Sequence, residues 1–211
     1  MKQAKWLSLG AVAILFCAFS GLAYGGVVLS ENFNALTPSL DVTSAGAFST
    51  IGGTNVDIVG GGLFGALCAS PEGGNCIDLD GSGGNPEGQL QSNMLFSAGT
   101  YLLSYDLIGS GRGSTASATV TFGSYIQSFT LTAGDNTSGI VVDQSVTLTS
   151  PGYLEFASNT PGDIGLVLDN VVVSTPATTT PEPASYLPLG CGMFAGMLVI
   201  WRRRHSASRA A

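Results

Sequence analysis

The central part of this 211-residue chain lacks the side chains that most catalytic sites need. Between residues 24 and 180 there is no histidine, lysine or tryptophan, and Arg112 is the one basic residue. This excludes a Ser-His-Asp triad, a histidine metal centre and Schiff-base chemistry in that region. The sole histidine of the chain, His205, lies in its basic C-terminal end. A glycosidase with two carboxylates is the remaining enzyme class. No spacing of acidic residues indicates one, so we expect a non-enzymatic protein.

Positive charge is scarce in this region, whereas negative charge is abundant. Thirteen acidic residues and one arginine give residues 24–180 a net charge of −12, although the whole chain carries only −7. Such a domain repels phosphate backbones and anionic lipids, which excludes nucleic acid as a partner. A bound divalent cation would relieve the repulsion between the carboxylates.

Long apolar runs are confined to the two ends of the chain. Residues 1–23 combine Lys2 and Lys5 with an apolar run and small residues before Ala23, which is typical of a secretory signal peptide. An uncleaved membrane anchor is the alternative. Residues 175–183 read as a Pro/Thr-rich linker, and residues 184–204 as a transmembrane helix with Trp201 near its cytoplasmic end. We therefore expect an exported domain over residues 24–174 on a membrane-anchored precursor, with residues 205–211 as a cytoplasmic tail.

Cysteine is also sparse, with only Cys68 and Cys76 in the central region. An even pair in an exported domain indicates a disulfide around a short loop. Two free thiols are the alternative. Metal binding by this pair is disfavoured, because no histidine or further cysteine is present there to complete a tetrahedral site.

Helical periodicity is absent from the central region. Short alternating segments such as "TYLLSYDLIG" and "SYIQSFTLTA" are separated there by Gly, Asn, Asp and Pro, a pattern that predicts a β-sandwich or barrel. Side chains two residues apart on a strand share one face. The faces predicted to point inward are those of Tyr101, Leu103, Tyr105 and Leu107, and of Tyr125, Gln127, Phe129 and Leu131.

Three features follow one another at the C-terminal end: a Pro-Glu-Pro triplet, an apolar segment and an arginine cluster. The residues of the two polar features are Pro181, Glu182, Pro183, Arg202, Arg203 and Arg204. Together with the signal peptide, they resemble the PEP-CTERM sorting signal of Gram-negative bacteria. The resemblance implies an exosortase-type membrane protease as partner, and a final location at the cell surface or in an extracellular matrix that contains exopolysaccharide. A plain single-span anchor is the alternative.

The central region has a weaker resemblance of its own. The segments "SENFN", "CIDLDGSGG", "AGTYLLSYDLIGSGRG" and "GLVLDNVVV" are similar to jelly-roll domains of the galactose-binding-like and carbohydrate-binding-module type. The resemblance implies a single antiparallel jelly-roll sandwich, flanked by the signal-peptide helix and the transmembrane helix. It also implies that Glu31 and Asp169 share a structural calcium, with Asn32, Asn34 or a backbone carbonyl completing the oxygen shell. Two solvated carboxylates are the alternative, and no other cofactor is expected.

Two polar segments receive structural rather than functional interpretations. "DLDGSGGN" has the alternating oxygens of a calcium loop, but Gln89 stands where an EF-hand needs a glutamate, so a strand ending in an Asp-Gly turn is favoured. Arg112 in "SGRGS" is either an anion contact or, as we favour, a hairpin tip that is solvated or paired with a nearby aspartate.

These patterns lead us to expect an exported, non-enzymatic surface or matrix protein associated with exopolysaccharide. A carbohydrate-binding module is the alternative, and a glycoside hydrolase is less favoured. The module interpretation is weakened because the domain has no tryptophan on which a sugar could stack. The tyrosines on strand patterns are assigned to core packing instead: Tyr101, Tyr105, Tyr125 and Tyr153.

Overall fold

A computed structural model describes residues 25–68, 74–83 and 87–177 of the chain. Residues Gly25–Pro176 form one compact unit. The predicted signal peptide, the Pro-Glu-Pro triplet and the C-terminal apolar segment lie outside the described residues. In the ranges that are described, no helix has both the length and the apolar character needed to cross a membrane.

The described residues form thirteen β-strands and one short 3-10 helix, Gly65–Leu67. The strands are β1 (Val27–Glu31), β2 (Ser39–Val42), β3 (Ser44–Ala45), β4 (Phe48–Thr50), β5 (Val56–Gly60), β6 (Asn75–Asp78), β7 (Gln89–Ser92), β8 (Gly99–Ile108), β9 (Ala116–Phe122), β10 (Tyr125–Leu131), β11 (Ile140–Leu148), β12 (Leu154–Ser158) and β13 (Val167–Ser174). The predicted all-β fold is confirmed.

The strands form two antiparallel sheets. The first sheet has the order β11-β8-β13-β6-β5-β2, and β1 also pairs with β13; the second has the order β10-β9-β12-β7-β4-β3. Strands β6 to β13 therefore lie in the orders β6-β13-β8-β11 and β7-β12-β9-β10. This is the arrangement of a jelly roll, whose two interlocked Greek keys place sequence-distant strands side by side.

The core lies between the sheets and is rich in aromatic rings. Phe156 on β12 makes edge-to-face contacts with Phe48, at 6.0 Å between ring centroids, and with Tyr105, at 5.4 Å. All three rings are fully buried. The inward set predicted for β8 is also buried, comprising Tyr101, Leu103, Tyr105 and Leu107. Burying each such side chain stabilises the fold by about 1.5–3 kcal/mol.

Strand β10 departs from its predicted pattern at one position. Leu131 is buried, and Tyr125 and Phe129 pack partly buried against the core. Gln127, which was predicted to point inward with them, is exposed instead. The physical reason is that β10 is an edge strand with only β9 beside it, so its side chains are covered incompletely.

Candidate functional site

The outer surface of the second sheet carries two rows of side chains that cross its strands, and all of them but one alanine are polar. The first row joins Ser49, Gln91, Glu155 and Thr121, which are direct neighbours on β4, β7, β12 and β9. The second row joins Gln89, Ala157, Thr119 and Ser128 on β7, β12, β9 and β10. We call these eight residues the polar face.

Strand alternation explains why these residues face outward. Leu90, Phe156 and Val120 lie between members of the two rows in sequence, and all three are fully buried in the core. Because successive side chains point to opposite sides of a sheet, the intervening Gln, Glu and Thr residues must face away from the core. The buried apolar residues of each strand therefore determine which side of the sheet its polar residues face.

Hydrogen bonds between neighbouring strands hold parts of the polar face in place. Gln91 Nε2 donates to Glu155 Oε1 at 2.6 Å, and the hydroxyls of Thr119 and Ser128 are 3.0 Å apart. Beside them, Asn159 Nδ2 donates to Thr119 Oγ1 at 2.9 Å. A surface of hydroxyl, amide and carboxylate groups with no cation in either row can exchange hydrogen bonds with a neutral, hydroxyl-rich ligand.

The two predicted calcium ligands lie on paired strands. Strand β1 pairs with β13, and Glu31 is opposite Val171, two residues from Asp169. Glu31 accepts backbone hydrogen bonds through both carboxylate oxygens, from Phe33 N and from Ala47 N, each at 2.9 Å. The buried Asp169 accepts one from Asn170 N at 2.7 Å.

The proposed supporting ligands also have roles in the loop. Asn32 Oδ1 accepts from Asn34 N at 3.2 Å, and Asn34 Oδ1 accepts from Asn75 N at 2.7 Å. Within the described ranges, no group of three or more His, Cys, Asp or Glu side chains is placed to hold a metal ion. A calcium ion at Glu31 and Asp169 would thus need backbone or water oxygens to complete its shell, and it stays a prediction.

Calcium is expected to raise the melting temperature of metal-free protein, and Asp169→Ala is expected to remove the effect. A site that binds only the folded state adds roughly 2.7 kcal/mol at a hundredfold excess of ligand over Kd. Magnesium should act less, because it needs a tighter octahedral shell. Differential scanning calorimetry with and without chelator measures this, and Asp163→Ala on an exposed loop is the matched control. An unchanged melting temperature in calcium would contradict the site.

Cys68 and Cys76 are joined by a disulfide in the structure, with their Cα atoms 5.6 Å apart. The bond ties residues 61–68 to strand β6, on the outer side of the first sheet. There, Leu67 and the two cysteines form a small second core with Val59, Ile108 and Val167. The bond therefore fastens a loop that covers part of the first sheet.

Arg112 forms an ion pair with Asp78, which is one of the two structural alternatives expected from the sequence. The Asp78 side chain is buried, and its Oδ1 also accepts from Gly165 N at 3.0 Å and from Asp80 N at 3.2 Å. Burial raises the pKa of Asp78 to about 7, although Arg112 and the two backbone donors oppose the shift.

The segment that resembled a calcium loop is a hydrogen-bonded structural element. Asp80 accepts from Gly88 N at 3.1 Å and from Ser158 Oγ at 2.8 Å, and burial raises its pKa. Ser82 Oγ donates to Asp57 Oδ2 on β5 at 2.5 Å. These contacts attach the segment to the two sheets.

The residues of the predicted sorting signal lie outside the described residues, so the sorting signal stays a prediction. Sequence reasoning missed the polar face, although its signal is present in the alternating Ser, Thr and Gln of "TASATVTF" and "GQLQS". What could not be seen is that β7, β12 and β9 are neighbours, since they are distant in sequence.

No family model and no curated protein matches this chain. Among solved structures, it is similar to the CBM22-1-GH10 modules of xylanase 10B from Clostridium thermocellum, complexed with xylohexaose: 11% identity, TM-score 0.43, covering 70% of this chain and 28% of that one. It is similar to a cleaved adhesin domain of Lys-gingipain from Porphyromonas gingivalis: 18% identity, TM-score 0.43, covering 72% and 99%. It is also similar to the tandem CBM22 domain of Xyn10C from Paenibacillus barcinonensis: 13% identity, TM-score 0.46, covering 78% and 50%. At these identities and scores, the likeness concerns the fold alone.

Proposed function

We propose that this protein is an exported, non-enzymatic surface or matrix protein whose domain binds a neutral polysaccharide through the polar face. The observation that carries the proposal is the pair of ordered polar rows, with Glu155 as their one charged side chain. This favours the carbohydrate-binding alternative over a role limited to association with exopolysaccharide.

The geometry of the polar face suits a chain-like ligand better than a single sugar. Neighbouring strands lie about 4.8 Å apart, so a row over four strands extends about 14 Å. Sugar hydroxyls both donate and accept, and they match side chains such as Gln91 and Thr121 that can do the same. Each such hydrogen bond contributes only about 0.5–1.5 kcal/mol net, so useful affinity requires several of them along the row.

Gln91→Ala and Glu155→Ala are each expected to weaken polysaccharide binding by about twofold to tenfold, because each removes one member of the hydrogen-bonded pair at the centre of the first row. Affinity electrophoresis in gels that contain neutral polysaccharides, including exopolysaccharide of the native host, measures this. Gln144→Ala changes the same residue type at an exposed position on β11 of the first sheet and is the matched control. Equal retardation of the wild type and both face variants, or a loss with Gln144→Ala, contradicts the proposal.

The C-terminal sequence supports a further part of the proposal, which is sorting by an exosortase-type protease. The order of Pro-Glu-Pro, apolar segment and arginines motivates it. Intact-mass analysis of protein from its native host is expected to show loss of the residues after about Pro183. Surface protein that still carries Trp201 and Arg202 to Arg204 would instead indicate a simple membrane anchor.

A further inference from the structure

A cavity lies on the outer side of the first sheet, on the other side of the sandwich from the polar face. It is a cavity of about 380 Å³ where strands β1, β13, β8 and β11 meet. Sites for small molecules usually measure roughly 300–1,000 Å³. This cavity can therefore hold a ligand of the size of one sugar residue.

Two β-bulges border the cavity and shape it. The register between β13 and β8 shifts between Asp169 and Val172, and that between β11 and β8 shifts between Val141 and Gln144. Asn170, with φ 51°, and Asp143, with φ 50°, adopt the left-handed region at these two bulges. A β-bulge changes the direction in which nearby side chains point. Here both bulges direct residues of the first sheet toward the same cavity.

Hydrogen bonds among the polar groups of the cavity hold these groups in place. Asn170 Nδ2 donates to Asp106 Oδ2 at 2.8 Å. On the neighbouring strand, Asp143 N donates to Ser104 Oγ at 2.8 Å. The carboxylate of Asp106 and the hydroxyl of Ser104 are thus held by partners on the two bulges.

The remaining wall and the charge define what the cavity can hold. Val141 and Val142 line one side, and Val142 is 73% exposed although it is apolar. Asp106 carries the negative charge of the cavity, because Glu31, which also lines it, accepts backbone hydrogen bonds from Phe33 and Ala47 with both of its carboxylate oxygens, and no lysine or arginine is among the lining residues. A ligand that fits must therefore offer an apolar surface, hydrogen-bonding groups and a positive charge.

We infer that this cavity binds the ammonium group and ring of an amino sugar, with Asp106 as the main acceptor for the ammonium and Val142 against the ring. A charge-assisted hydrogen bond is about twice as strong as a neutral one, which favours an ammonium over a hydroxyl at this position. The inference is independent of the polar face, because it concerns the opposite side of the sandwich and another ligand charge.

Titration with free glucosamine in the presence of chelator tests the inference. Binding is monitored through the NMR chemical shifts of the backbone amides of Asn170 and Val142. Glucosamine is expected to bind at least tenfold more tightly than glucose or N-acetylglucosamine, because only its amine is charged. Equal affinities for the three sugars, or shifts spread over the whole domain, would overturn the inference.

Two variants and one control separate the cavity from the rest of the surface. Asp106→Asn and Asn170→Gly are each expected to weaken glucosamine binding at least tenfold, and the glycine tolerates the left-handed backbone. Asp163→Asn removes a charge on an exposed loop outside the cavity and should leave the affinity unchanged. If Asp163→Asn weakens binding as much as Asp106→Asn does, the effect is one of net charge and the inference fails.

Discussion

Replacing Arg112 by alanine is expected to lower the free energy of unfolding by about 3–5 kcal/mol at pH 8, because it leaves a buried carboxylate without its cation. The partner, Asp78, is 1% exposed and lies on β6 under the loop that carries Arg112. Desolvation of a charge that has lost its partner costs more than the loss of the contact itself. Urea unfolding followed by circular dichroism measures the change.

The same pair makes stability depend on pH in a predictable direction. Burial raises the pKa of Asp78 from 3.8 to about 7 in the folded state. Folding therefore takes up a proton between these pH values, and the free energy of unfolding falls as the pH rises through that window. The shift corresponds to roughly 4 kcal/mol in total, and burial shifts the pKa of Asp80 in the same direction. Asp78→Asn should flatten this dependence.

A double variant separates the ion pair from simple packing. Asp78→Asn combined with Arg112→Met removes both charges and keeps most of the volume, so it should be much less destabilising at pH 8 than Arg112→Ala alone. Arg112→Ala should also lower the free energy of unfolding by less at pH 5, where Asp78 is protonated in the folded state. An Arg112→Ala variant that unfolds like the wild type at pH 8 would show that the pair contributes nothing measurable.

The fold follows closely from strand alternation where a strand is central. Leu103, Tyr105 and Leu107 were predicted to be core residues and are buried, since β8 has neighbours on both edges and a full sheet opposite. The same rule is less successful at the edge strand β10, where Gln127 is exposed. Alternation determines which side of the sheet a side chain points to, but whether that side is buried depends on tertiary contacts.

The candidate sites were less predictable, for a related reason. Asp57, Asp78, Asp80 and Asp169 are buried although they are acidic, and a sequence pattern assigns such residues to solvent. Two of them lie directly opposite each other, Asp57 on β5 and Asp78 on β6. Many of the groups that make this burial tolerable come from distant parts of the chain, such as Arg112 for Asp78, Ser82 for Asp57 and Ser158 for Asp80. The polar face and the cavity likewise combine strands that only the jelly-roll topology brings together.

Phe156 links the two sides of the sandwich, so Phe156→Ala is expected to destabilise the domain by about 3–5 kcal/mol. Its ring packs against Phe48 of the second sheet and Tyr105 of the first, and it is fully buried. Truncation removes the buried apolar surface and leaves a void that the close-packed core can fill only in part.

Calorimetry or urea unfolding measures this loss, and Phe64→Ala is the matched control. Phe64 is 49% exposed in the disulfide-bonded loop, so the same truncation there should change stability by no more than about 0.5 kcal/mol. Phe156 also lies between Glu155 and Ala157 of the polar face, while Tyr105 lines the cavity on the opposite sheet. At temperatures where the variant remains folded, the void left beside Tyr105 and between Glu155 and Ala157 should weaken polysaccharide and glucosamine binding together. Equal losses of stability with Phe64→Ala and Phe156→Ala would contradict a core that joins the two sites.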